Sequence, residues 1–172
     1  MLEKITLEVS ADTLTLPELA EIVIKTGVKA FGGSAGMVAI LSDDRECLEI
    51  IGQQGFPESV VKPFRRLPLQ HATPATMVCQ RCEPEFIETL AEFRDRYPQI
   101  VAMTTGITGT RALLCVPLLI EGRAIGVFGV TYREDRPFSP EDRASVSAFA
   151  EQAAQALSRV IQRARSGSSP AL

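Results

Sequence analysis

RALLCVPLLIEGRAIGVFGVTYRED, Arg111 to Asp135, is the stretch that decides the fold. Two apolar runs, about Ala112–Ile120 and Ala124–Tyr132, flank a tight turn at Glu121-Gly122. Glycine supplies the positive φ that such a turn needs. The pair therefore reads as a β-hairpin. Runs this apolar belong to central strands covered on both faces. The expected sheet is antiparallel, with something packed on each side.

Downstream, Phe138-Ser139-Pro140-Glu141-Asp142 opens a helix: Ser139 as cap, Pro140 in its first position, Asp142 where a capping-box carboxylate stands. Val146, Phe149, Ala153, Ala156 and Val160 then recur by threes and fours as a heptad-like seam. The helix is expected to reach about Arg165, roughly 26 residues and 39 Å at 1.5 Å per residue. The last stretch, 166–172 (SGSSPAL), reads as a disordered tail by composition.

Upstream, residues 1–15 read as an entry segment, and 16–165 as one domain. Pro17 suits the first turn of a helix whose apolar stripe is Leu19, Ala20, Val23, Ile24, Val28 and Phe31, and Gly32-Gly33 ends it. GGSAG lacks the lysine of a phosphate loop and precedes a strand, so it is a cap and turn. A hairpin follows, about Gly36–Leu41 and Cys47–Ile51, joined by a polar turn. Gly55-Phe56-Pro57 breaks its second strand, and a long irregular passage runs to Thr73. Thr73 and Pro74 start a short helix to about Cys82, EFIE is a short strand, and Thr89 to Tyr97 is a second short helix stopped by Pro98. TTGITGT, 104–110, reads as a polar loop.

At 172 residues the chain has room for one core. A net charge of −3 and a pI near 5.3 leave no basic footprint for nucleic acid or an anionic membrane. No apolar run reaches bilayer length, and the start is no secretory signal, so the expected location is cytoplasmic. The four cysteines, 47, 79, 82 and 115, are then expected to be thiols.

The order of elements, with Val116-Pro117-Leu118-Leu119, Glu121-Gly122-Arg123, Ile125-Gly126-Val127, Phe138-Ser139-Pro140-Glu141-Asp142 and Gln152–Leu157, resembles the GAF domain family. Gly52…Gly55-Phe56-Pro57 and Arg96-Tyr97-Pro98 resemble weaker stretches of bacterial members. The resemblance covers about Leu16 to Arg163. It implies an α+β fold: a central antiparallel sheet of five to six strands, first and last helices on one face, short helices and loops roofing a pocket on the other. Members bind cyclic nucleotides, tetrapyrroles or other small ligands, or dimerise beside kinases, phosphatases and transcription factors. A minority reduce free methionine-R-sulfoxide.

The residues narrow those options. CQRC, Cys79 to Cys82, has the spacing of a metal or redox pair, but zinc wants four Cys or His ligands; His71 offers a third, no fourth lies nearby in sequence, and Cys47 and Cys115 fall on separate expected strands. A redox pair sits at a helix start, where the dipole lowers the thiol pKa; this one falls at a helix end. The favoured reading is packing of small apolar side chains. The reductase relatives carry Gly-Cys and Ala-Cys-Asp motifs that are absent here, and neither cysteine of the pair precedes the histidine of a bilin anchor. Haem would have only His71, in a loop, as a candidate axial ligand. One histidine and no G-x-S-x-G elbow leave no hydrolytic triad.

The candidate ligand-binding residues are Met77 and Arg81 on the first roof helix, Phe93 and Tyr97 on the second, and Thr104, Thr105 and Thr108 in the connecting loop. The candidate dimer interface is a second apolar line on the last helix: Ala150, Leu157 and Ile161. The expectation is a non-catalytic sensory or regulatory domain of a bacterial signalling protein, with a small-molecule ligand of unknown identity and no metal. It would form a homodimer through its terminal helices and act on an output domain, such as a kinase or phosphatase, outside this chain. The alternatives are a ligand-free dimerisation module and a thiol-dependent reductase of free methionine-R-sulfoxide.

Overall fold

The computed structural model describes Leu7 and residues 13–167. Most of the expected entry segment and residues 168–172 of the expected tail lie outside the described residues.

The first helix, α1 (Leu16–Phe31), opens with a full capping box. Glu18 N–H donates to the Thr15 hydroxyl at 3.3 Å, and Thr15 N–H donates to the Glu18 carboxylate at 3.2 Å. Two of the otherwise unpaired first-turn donors are thus satisfied. Strands β1 (Ala35–Leu41) and β2 (Cys47–Gln54) form the expected first hairpin. The passage after it is not irregular. It holds the single turn α2 (Glu58–Val61), a 3-10 turn over Lys62–Phe64, and strand β3 (Arg66–Pro68) on the outer edge of β2. Each piece is too short to show a period in sequence.

Helix α3 (Pro74–Arg81) starts under the Thr73 cap, and strand β4 (Glu85–Ile87) pairs with β5 (Ala112–Ile120). Helix α4 (Leu90–Arg96) is followed at once by α5 (Pro98–Thr108). The expected 104–110 loop is therefore mostly helix. Pro98 ends α4 and also opens α5, because a first-turn N–H needs no intrahelical partner. Gly109, at φ 72°, supplies the left-handed cap. Thr104 and Thr108 fit the helix by donating their hydroxyls back to the carbonyls of Ile100 and Thr104, at 2.7 and 3.1 Å.

Strand β6 (Arg123–Tyr132) completes the expected second hairpin, with Glu121 and Gly122 at φ 51° and 76°. The six strands lie in the order β3-β2-β1-β6-β5-β4, every pair antiparallel. On one face lie α1 and the last helix, α6 (Pro140–Gly167). Phe149 of α6 stacks against Phe31 and Phe128, ring centres 5.8 and 5.4 Å away. Contact there is close enough that a Cβ on Gly27 would sit 2.4 Å from the Phe128 ring. Helices α3, α4 and α5 cover a second core on the other face.

Helix α6 runs two residues beyond the expected end, taking in Ser166 and Gly167. Its proposed second apolar line is not free. Ala150 and Leu157 are 3% and 0% exposed, packed into the core beneath their own sheet, and only Ile161 is half-buried. With eight residues of α6 buried, the inward stripe is wider than a narrow coiled-coil seam.

Candidate functional site

Between the sheet and its roof lies a cavity of about 170 Å³. The sheet supplies its floor: Met37, Ile50, Gln53, Leu113, Cys115, Gly129 and Thr131. A backbone irregularity puts Gln53 there. Val38 faces Gly52 and Ala39 faces Ile50, so the β2 register steps over Ile51. After that bulge Gly52 turns toward Ile24 and Ala20 of α1, and Gln53 turns into the cavity. Gly129 leaves room in the floor, since a Cβ there would meet Met37 Sδ at an ordinary 3.6 Å.

One end of the cavity is apolar, lined by Phe56, Val60, Val61, Phe64 and Leu67 from the passage around α2 and β3. The other end is walled by threonines. Thr104 and Thr108 come from α5, Thr110 follows the Gly109 cap, and Thr131 lies on the neighbouring end of β6. Two bonds tie that end together: Arg133 Nε donates to the Thr108 carbonyl at 3.2 Å, and Arg111 N–H to the Tyr132 carbonyl at 2.8 Å. Thr131 Oγ1 is buried and has no hydrogen-bond partner. Among the described residues no Asp, Glu, Lys, Arg or His side chain lines the cavity. Cys115, also in the wall, has a thiol that burial pushes well above the usual range and so keeps neutral.

Of the residues expected from sequence, Phe93, Thr104 and Thr108 line this cavity. Met77, Arg81, Tyr97 and Thr105 do not. Helix α3 turns Ala75, Val78 and Cys79 inward. Met77 and Arg81, four apart, share another face, so Met77 packs only partly and Arg81 is exposed. Tyr97 is buried, but its hydroxyl donates to Glu85 Oε2 at 2.7 Å. Burial first, and then that bond, pushes the phenol above its ordinary range. Thr105 Oγ1 is buried without a partner, one position around α5 from the wall residue Thr104.

Sequence reasoning missed the apolar end altogether. Phe56 and Phe64 sit among prolines 57, 63 and 68, a composition that reads as loop. It also missed Gln53, because a bulge reverses the inside-outside alternation without leaving a composition signal.

CQRC is divided by the end of α3. Cys79 is buried, and Cys82 is the cap residue at φ 56°. Burial, and then the Cys82 thiol, pushes the Cys79 thiol up, so it resists forming thiolate. Among the described residues no group of three or more His, Cys, Asp or Glu is placed to hold a metal.

A family model described as GAF domain matches residues 13–158. The chain belongs to the GAF domain family. No curated protein matches it. Solved structures repeat the GAF fold at low identity. The GAF domain of an Acinetobacter phosphoenolpyruvate-protein phosphotransferase is 15% identical with a TM-score of 0.71, over 90% of this chain and 89% of that one. A domain assigned to a two-component sensor histidine kinase of Sinorhizobium meliloti 1021 is 16% identical with a TM-score of 0.72, over 91% and 100%. A type II free methionine-R-sulfoxide reductase from Thermoplasma acidophilum is 14% identical with a TM-score of 0.63, over 85% and 96%. Among the described residues of this GAF domain, no helix is long and apolar enough to cross a membrane.

Proposed function

We propose that this GAF domain is a non-catalytic sensory and regulatory module of a cytoplasmic signalling protein. It binds a small molecule in the cavity between sheet and roof, and the terminal helices pass the state of that cavity to an output domain. The observation that carries the reading is the cavity itself, an apolar space between sheet and roof of the kind that small-molecule sites use. The likeness to a domain assigned to a sensor histidine kinase supports the signalling context.

Strand β6 offers the connection. Gly129 and Thr131 line the cavity, while Phe128 and Tyr132 are buried in the core shared with α1 and α6. A ligand pressing on one face of this strand acts on residues that alternate with those holding the helices. Two of the four cysteines, Cys79 and Cys115, are buried with their thiols pushed up, which disfavours those two as nucleophiles of the reductase alternative.

The test is native mass spectrometry of the protein purified from its own host, beside a Gly129→Leu variant whose side chain would fill the cavity. The expected result is a bound small molecule on the natural protein and none on the variant. Finding both proteins ligand-free would overturn the reading.

A further inference from the structure

We propose that the cavity holds the hydrocarbon part of a dissolved amphiphile and leaves that molecule's polar head at the opening, in water and unread by the wall. This rests on the cavity being the ligand site. Three features point to that chemistry.

The first is the surface a ligand meets. It is almost wholly apolar, although threonines and a glutamine stand in the wall. The hydrogen bonds explain why. The Thr73 hydroxyl accepts from Thr76 N–H at 3.1 Å, as the cap of α3. Thr104 donates to the Ile100 carbonyl at 2.7 Å. Thr108 donates to the Thr104 carbonyl and accepts from Thr110 N–H, both at 3.1 Å. Gln53 Oε1 accepts from Phe56 N–H at 3.1 Å, and Thr131 Oγ1 is buried. These polar atoms serve the protein's own backbone or lie beneath the surface. Hydrophobic contact is what remains to hold a ligand.

The second is charge. Among the described residues no charged side chain lines the cavity. A carboxylate, phosphate or ammonium carried inside would be buried without a partner, at a cost that hydrophobic contact does not return. Arg81, the guanidinium expected to meet an anion, is exposed and lies outside the wall.

The third is the opening. The cavity is half open to solvent. A polar head placed there keeps its water, so entering the site costs it little. The ligand is therefore selected by its apolar part, and its head group is free to vary.

The experiment titrates the full chain with hexanoate, octanoate and 1-octanol, below their micelle or solubility limits, and follows backbone-amide NMR shifts. Gly129→Leu is titrated alongside, since a Cβ at Gly129 meets Met37 Sδ at an ordinary 3.6 Å and the rest of the side chain takes up cavity space. Octanoate should bind about fifteenfold more tightly than hexanoate, the worth of two buried CH₂ groups. Octanol should match octanoate within about threefold, because both heads stay in water. The shifts should centre on the wall residues Ile50, Leu113 and Gly129, and Gly129→Leu should weaken octanoate at least about tenfold. Phosphatidylcholine vesicles, the other common source of such chains, should leave the protein in the supernatant on sedimentation. Hexanoate equalling octanoate, a gap of more than about tenfold between octanoate and octanol, shifts centred away from the wall, or an unchanged affinity in Gly129→Leu would each overturn the ligand class. Sedimentation with the vesicles would overturn the dissolved source. Failure of every probe would overturn this inference alone when the protein from its own host still carries a small molecule; a ligand-free host protein would bring down the cavity reading as well.

Discussion

Tyr132 shows how much one side chain does in this fold. It is the last residue of β6, is 5% exposed, and donates its hydroxyl to the Phe31 carbonyl at 2.8 Å. That bond ties the sheet to the C-terminal end of α1. Burial pushes the phenol up to about 12. The neutral form is thus the one the fold accepts. A raised folded pKa means that this stability is fully present below the unfolded value of about 10 and lost as pH rises from there to about 12. The loss should be on the order of 2–3 kcal/mol, and Tyr132→Phe should remove it. Urea unfolding of both proteins at pH 8, 10 and 11.5 checks this: the gap between them should narrow as pH rises. Cys82 carries the opposite lesson. Its spacing from Cys79 was plain in the sequence, but the spacing was not the property that mattered. Cys82 occupies the left-handed cap of α3 at φ 56°, a conformation that glycine adopts more easily.

Among elements, the β5–β6 hairpin was the most legible, because its apolar length and its Glu121-Gly122 turn agree with each other. Both turn residues have positive φ, which is the type I′ pattern, and Glu121 takes it at a steric cost. Asn-Gly is the preferred pair for that turn. Glu121→Asn should therefore stabilise the protein by about 0.5–1 kcal/mol, read as a higher urea midpoint at unchanged slope. A midpoint that falls would show that the Glu121 side chain contributes something the turn geometry does not reveal. Helix α5 was the least legible element. Threonine and glycine have low helix propensity, and the mean over 104–110 favours a loop. What holds those residues helical is burial of Val101 and Thr104 under the roof, plus the Pro98 start and Gly109 cap. The misreading mattered for the site. As a helix, Thr104 and Thr108 turn their hydroxyls back onto the helix's own carbonyls.

For the molecule as a whole, layer order was legible and the destination of each apolar stripe was not. A stripe on a helix says that something covers it, and sequence does not say whether that is the same chain or another. Here the chain covers its own. Late in α6, Arg163 donates to the Leu14 carbonyl just before α1, and Arg165 meets Asp43 in the β1–β2 turn at 2.5 Å. The two terminal helices share one core as an antiparallel pair, with Phe31 near Phe149 at one end and Leu14 near Arg163 at the other. Leu157, between those ends, is fully buried. Leu157→Ala should accordingly cost about 2–5 kcal/mol, the range for emptying a packed leucine site. An interface leucine and a core leucine differ in how that loss depends on concentration. Dimer stability varies with protomer concentration by mass action, and a core defect does not. Urea midpoints of the natural protein and of Leu157→Ala, each measured at 1 and 100 times a base concentration (~1 µM, well within reach of circular dichroism), separate the two. The burial of Leu157 predicts the same downward displacement at both concentrations. A displacement that appears mainly in the dilute sample would assign Leu157 to a subunit contact instead.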